Sequence, residues 1–224
     1  MKVIDINVDV GEGFAFDGEL LRIATSANVC CGAHAGSVDL TMATVAKCIT
    51  AGVRVGAHPG VPDRAGMGRT PLRITSKEER DDLLSSLVDQ LEVAEWDYVK
   101  PHGALYNGTI VPGLAADAVA TLLSSGKEPL LGMPGTHHEE IARVAGVRLI
   151  REGFADRAYD SDGILVARSQ SGAVLSSHDE IAAQVLRLAR RVDSICVHGD
   201  TPGCVAIAEH VLRTLSDAGY EVRA

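Results

Sequence analysis

The sequence predicts an α/β fold, a seven-stranded parallel (β/α) barrel, and three observations carry that prediction. Short apolar runs alternate with longer amphipathic ones about seven times along the 224 residues, the pattern of parallel strands joined by helical crossovers. The strand-like runs are short and apolar, as in a sheet covered on both faces. An open doubly wound sheet shares those two features, so the third decides. "DVGEGF" lacks the last glycine of a dinucleotide-binding turn, and polar residues end strands 1, 2, 3, 4 and 7 around a ring instead of gathering at one switch point. Residues 1–224 read as a single domain, with no linker or low-complexity segment.

Each element has a local signature. The strand-like runs are "VIDINVD" (3–9), "ANVCC" (27–31), "VRVGA" (53–57), "DYVKP" (97–101), "PLLGM" (129–133), "VRLI" (147–150) and "SICV" (194–197). Between them, "SVDLTMATVAKCITAG" offers Ser37 as an N-cap and Gly52 just past the end. "TSKEERDDLLSSLVDQLEVA" carries a Thr75/Glu78 capping box, with Leu83, Leu84, Leu87, Val88 and Leu91 at helical spacing. "THHEEIARVAG" opens at Thr136/Glu139 and closes at Gly146, "SHDEIAAQVLRLARRV" opens at Ser177/Glu180, and the last helix closes at Gly219. Two stretches are irregular, the Gly/Pro-rich loop 58–75 and the segment 151–177, and both read as covers over a site.

Composition narrows the function class. A formal net charge of −9 argues against a nucleic-acid partner. The one basic cluster, Arg187, Arg190 and Arg191, reads as a solvated helix face. No apolar run reaches the ~20 residues that a bilayer demands. Asp5, Asn7 and Asp9 interrupt the N-terminal run that a signal peptide would need. The expectation is a cytoplasmic protein with no membrane partner. Its five cysteines include no CxxC and are expected to be reduced and buried.

The candidate chemistry lies where strands end. Asp5, Asn7 and Asp9 share one face of the first strand, and Ile4, Ile6, Val8 and Val10 share the other. The polar three therefore line the barrel interior, with Glu12 following at the mouth. His34, His58, Lys100, His102, His198 and Asp200 each stand where an apolar run meets glycine or proline. Taken singly, each has an ordinary reading: a hydrogen-bonded histidine, a surface lysine, an N-cap aspartate before Pro202. Their joint placement at one mouth points to a catalytic or ligand site. Asp and His can serve as base and acid on a water nucleophile, and Lys100 can stabilise an oxyanion. Three of Asp9, His34, His58 and His102 could equally bind a divalent metal. "HHEE" at 137–140 is not HExxH, and no Walker A sequence occurs.

In order along the chain, "DINVDVGEGF", "SANVCCGAHAG", "GVRVGAHPGVPDRAGMGR", "VKPHGALYN", "EGFADRAY", "DGILVARSQSGAV" and "ICVHGDTPG" resemble the LamB/YcsF family. The resemblance implies a barrel of the glycoside hydrolase/deacetylase type. It implies ATP-dependent opening of the 5-oxo-L-proline lactam to L-glutamate, with ATP and Mg2+ for the complete reaction and separate 5-oxoprolinase B and C subunits as partners. A homo-oligomer is compatible with it. The implied catalytic set is Asp9, Lys100, His102, His58, His34 and Asp200. The substrate set is Asn7, Glu12, Asn28, Arg157, Arg168 and His198. A metal, if bound, would take Asp9, His58 and His102. Related deacetylases carry paired aspartates after the first strand, whereas Val10 fills the second position here. Two other readings stay open, a metal-dependent hydrolase of another amide and a non-catalytic substrate-binding scaffold.

Overall fold

The computed structural model describes residues 2–224. Its strands are β1 (Lys2–Val10), β2 (Ser26–Cys30), β3 (Arg54–His58), β4 (Tyr98–Val99), β5 (Leu130–Gly132), β6 (Leu149–Phe154), β7 (Ser194–Val197) and β8 (Tyr220–Val222). Its helices are α1 (Asp17–Leu20), α2 (Val38–Ala51), α3 (Lys77–Leu91), α4 (Gly103–Gly108), α5 (Leu114–Gly126), α6 (His138–Ala145), α7 (His178–Leu188) and α8 (Cys204–Asp217). Strand β1 pairs in parallel with both β7 and β2, which closes β2-β3-β4-β5-β6-β7-β1 into the expected seven-stranded barrel. The eighth strand goes beyond that expectation. It pairs with Lys2–Ile4, the end of β1 that extends past its barrel neighbours.

Alternation along β1 sorts its residues as the sequence indicates. Ile4, Ile6, Val8 and Val10 pack outward in a core with Ile207, Ala208 and Val211 of α8 and Ile181 and Val185 of α7. Asp5, Asn7 and Asp9 point inward, where hydrogen bonds replace apolar packing. Thr25 and Ser194 donate to Asp5. Asn7 donates to Ser194 at 2.7 Å, and Asn28 donates to Asn7 and Asp9, each at 2.7 Å. The Tyr98 hydroxyl donates to Asn28 at 2.7 Å. Gly56 makes this layer fit, because a Cβ there would overlap the Tyr98 ring.

Several local expectations need correction. The cap of α3 sits one residue later than Thr75/Glu78: Ser76 accepts from the Glu79 amide and Glu79 returns the bond. The N-cap of α6 is His137, whose side chain makes no cap bond; Thr136 accepts from the His138 amide at 3.3 Å and donates to the Met133 carbonyl, and Glu139 reaches the Gly135 amide. Helices α4 and α5 occupy a stretch that shows no element signal in the sequence. In α5, small alanines (Ala115, Ala116, Ala118) supply much of the buried face, so the apolar stripe is weak. Strand β6 runs to Phe154, past the expected end at Ile150, because Glu152 and Phe154 continue its inner face. Ser37 and Ser177 cap as expected, and Gly52 and Gly146 close their helices in the left-handed region. All five cysteines are free and buried. Among the described residues no helix is long and apolar enough to cross a membrane.

His138 ties α6 to the barrel. Its Nδ1 accepts from the Met133 amide at 3.0 Å, and its Nε2–H faces Thr109 Oγ1 at 3.0 Å. Burial pushes its pKa down from 6.5 to about 4. An unfolded chain binds that proton more tightly, so the stabilisation is present above pH 6.5 and is lost as pH falls through about 4. Denaturant titrations across that window are expected to show a loss on the order of 3 kcal/mol from this residue. His138→Asn, which keeps an acceptor for Met133, is expected to flatten that part of the pH dependence.

Candidate active site

A cavity of about 560 Å³ opens at the C-terminal ends of the strands. Asp9, His58, Lys100, His102, Arg157, Arg168 and His198 all line it, so seven of the twelve predicted catalytic and substrate residues share one space. Asn7 and Asn28 lie below as its supporting layer. His34 and Glu12 lie behind His102. Asp200 stands with two arginines, Arg69 and Arg168.

At the floor, Lys100 is buried, 2% exposed. Its ammonium contacts Asp9 Oδ1 at 3.0 Å, Glu152 Oε1 at 2.8 Å, Cys196 Sγ at 3.1 Å and Asn7 Oδ1 at 3.3 Å. Burial is the largest influence on Asp9 and opposes its charge, but Lys100, His58 and His198 together outweigh it and hold the carboxyl well below the ordinary range. Burial likewise opposes charge on Lys100, and Asp9, Cys196 and Glu152 together outweigh it and raise its pKa. The pair is ionised. Asp9, Cys196 and His198 converge closely enough to hold a cation, but the ammonium already bridges Asp9 and Cys196.

Beside the floor stand three histidines. His34 stacks on His102, with centroids 3.7 Å apart and planes 3° off parallel, and His58 meets both edge-on. The loop over them needs glycine: Gly68 has φ +64°, and a Cβ there would press on His34 and His102. Proton accounting makes this cluster informative. His58 Nδ1 lies 2.7 Å from the Lys100 carbonyl, and His102 Nε2 lies 2.8 Å from the Met67 carbonyl. A carbonyl only accepts, so both of those nitrogens carry hydrogen. The remaining nitrogens, His58 Nε2 and His102 Nδ1, face each other at 2.9 Å. Burial pushes the His58 pKa down to about 3 and His102 well below its ordinary value. Two neutral rings would set lone pair against lone pair, so this contact calls for a shared proton or a cation. Glu12, His58 and His102 present three such ligand atoms within 4.8 Å of one another, a donor set that suits zinc-like ions. Glu12 thus takes the place expected of Asp9 in that set, because Asp9 Oδ1 stands 3.7 Å from His58 and already accepts from Lys100 and Asn28.

Toward solvent the charge changes sign. Arg69 from the 58–75 loop and Arg168 from the 151–177 segment meet on Asp200, at 2.7 and 3.1 Å. Both irregular stretches therefore cover the mouth, as expected. Asp200 does not cap the last helix; Gly203 takes that position. Arg157 is buried and donates Nε to the Ala173 carbonyl at 3.2 Å and Nη2 to the Val166 carbonyl at 2.6 Å. It makes no ion pair among the described residues. Burial and then Arg168 push its pKa down to about 10, so it remains a cation at neutral pH. His198 stacks on Phe154, and its Nδ1 lies 2.8 Å from Asp156 Oδ1. Thr201 donates to the other Asp156 oxygen at 2.7 Å.

Glu152, Asp156, Arg69 and Tyr106 join the site without having stood out in the sequence. For Glu152 a signal is present. Ile150, Glu152 and Phe154 alternate onto one face, but the expected strand ends at Ile150. Asp156 follows that strand closely and carries no motif of its own.

The model of the LamB/YcsF family matches residues 4–224. The A subunit of a 5-oxoprolinase from Pyrococcus furiosus is 39% identical over 99% of this chain and 97% of its own length. Its counterpart from Neisseria meningitidis serogroup C is 40% identical over the whole of both. Among solved structures, a lactam utilization protein from Thermus thermophilus superposes with a TM-score of 0.86 at 35% identity over the whole of both chains. The peptidoglycan deacetylase PdaC from Bacillus subtilis, at a TM-score of 0.52 and 14% identity, shares the fold over 100% of this chain and 88% of its own.

Proposed function

The chain belongs to the LamB/YcsF family, and we propose that it is the barrel subunit of an ATP-dependent 5-oxoprolinase. It opens the lactam of 5-oxo-L-proline to L-glutamate, working in the cytoplasm with separate B and C subunits. The observation that carries this reading is the split of charge inside one cavity. A buried guanidinium without an ion-pair partner among the described residues, Arg157, lines the wall, and an ionised Asp9–Lys100 pair forms the floor. 5-Oxoproline matches that split, with a carboxylate at one end and an amide at the other.

Arg157, with Arg168 beside it, takes the substrate carboxylate through charge-assisted hydrogen bonds. The lactam group then lies against the floor. A five-membered lactam is a stabilised amide that water attacks slowly. ATP, with Mg2+, activates it by phosphorylating its oxygen. Lys100 provides positive charge where negative charge develops on that oxygen. His198, oriented by Asp156, acts as the general base on the attacking water; its other ring nitrogen is the one left over from the Asp156 contact. Asp9 Oδ2 accepts no hydrogen bond from the described residues and helps to place the water. Phosphoryl transfer releases ADP; addition of the water and cleavage of the C–N bond then free the α-amino group and leave a γ-glutamyl phosphate, which a second water hydrolyses to the γ-carboxylate and phosphate. His102 has both ring nitrogens engaged and positions His58 and the covering loop.

Glutamate release from 5-oxoproline, measured with this chain, its B and C subunits, ATP and magnesium, is expected only in the complete mixture. Release without ATP, or none from a verified folded complex, contradicts the reading. In the active mixture, His198→Ala is expected to lower turnover at least ~100-fold, the scale of lost acid–base help, and His102→Ala to lower it on the order of 100-fold through the misplacement of His58 and the covering loop. Full activity of either correctly folded variant removes that residue from the mechanism.

A second reading, metal-assisted amide hydrolysis, draws on the facing lone pairs of His58 and His102. Glu12, His58 and His102 would hold the ion, which would polarise a carbonyl or activate water there. Calorimetric titration of the metal-stripped chain with Zn2+ is expected, on that reading, to give one site that Glu12→Gln weakens and His58→Ala removes. No binding, with a shared proton seen between the two rings by imidazole 15N resonance, rejects it.

A further inference from the structure

Glu152 is a buried acid that the proposed chemistry does not use. Its side chain is completely shielded, on the inner face of β6. Its carboxylate pairs with Lys100 at 2.8 Å, yet neither oxygen accepts an aligned hydrogen bond from any described group. The Tyr106 hydroxyl beside it is also buried and faces the same carboxylate, out of line for a well-formed hydrogen bond. Lys100 already has a counter-ion in Asp9 at 3.0 Å. A second carboxylate leaves the group with two negative charges and one positive charge away from water. An apolar residue of similar volume would serve stability better, so the acid calls for another explanation.

The placement of hydrogen bonds on Asp9 supplies one. Lys100 and Asn28 both donate to Oδ1, while Oδ2 accepts nothing from the described residues and Asp9 lines the cavity. An ammonium with one carboxylate neighbour is free to settle across both of its oxygens. Glu152 stands on β6, with β7 between it and the Asp9 strand, and draws the ammonium toward itself. We propose that Glu152 is a positioning residue that shares the Lys100 ammonium with Asp9 and keeps it off Oδ2, leaving that oxygen for substrate or water. Without the Glu152 charge, Lys100 closes onto Asp9 and the substrate loses a contact that matters in the transition state more than in binding.

Two measurements test this, and only the first rests on the oxoprolinase reading. In the complete enzyme, Glu152→Gln is expected to lower kcat roughly 10- to 100-fold while KM changes less than about 3-fold, the pattern of a lost transition-state interaction. Glu152→Asp, which keeps the charge at shorter reach, is expected to recover part of that loss. Wild-type kcat in Glu152→Gln overturns the proposal. The second measurement is thermal unfolding of the full chain and needs no reaction. Lys100→Met leaves two buried carboxylates without their cation and is expected to lower Tm strongly. Adding Glu152→Gln is expected to raise Tm again, the non-additivity of residues that share one charge. Additive losses overturn the shared ammonium even if the enzyme makes glutamate. A restored Tm supports it even if the substrate is a different amide.

Discussion

An ammonium group buried inside a barrel must find counter-charge and hydrogen-bond acceptors there, because water cannot supply them. Lys100 finds them on three strands at once: Asn7 and Asp9 on β1, Glu152 on β6 and Cys196 on β7. Much of the interior follows from this. Asp9 is held ionised by the lysine and by Asn28. Asn28 is fixed by Tyr98, and the Tyr98 ring fits because residue 56 is glycine. The lysine carbonyl fixes the tautomer of His58, and His58 in turn faces His102. A change at this ammonium is therefore felt across the floor and the histidine wall.

The barrel separates two tasks by depth. Its outer surface is ordinary, with β-branched and aliphatic residues packed under helices. Its inner surface is polar in successive layers, from Asp5 and Ser194 through Asn7 and Asn28 to the Asp9–Lys100 floor. Above that floor the two irregular stretches bring arginines over the mouth, held together on Asp200. An anionic small molecule meets positive charge first and the acid-rich floor second, which orients it before any reaction.

The parts of this arrangement that are legible in the sequence are those written in short-range periodicity. The 2-residue alternation of "VIDINVDV" places Asp5, Asn7 and Asp9 inside, and glycine after His102 and His198 marks strand ends. What escapes is decided by long-range contact. Glu152 becomes a site residue only when β6 extends beside β7 and brings it to Lys100, about fifty positions away in the chain. Asp200 looks like a helix cap because Pro202 follows it, but two arginines from distant loops claim it. Half of the residues that helix α5 buries are alanine, too faint a stripe to read without its neighbours. The Thr75/Glu78 box loses to Ser76/Glu79, a choice between adjacent hydroxyls that the local sequence leaves nearly balanced.

The claim that the mouth orients a lactam between Arg157 and the Asp9–Lys100 floor is tested most directly by a crystal structure of this chain with 5-oxo-L-proline. The account predicts the carboxylate against Arg157 and the lactam carbonyl carbon facing Asp9 Oδ2 and Lys100. A lactam bound in the opposite sense, with its carboxylate on Lys100, or bound outside the barrel mouth, would contradict it.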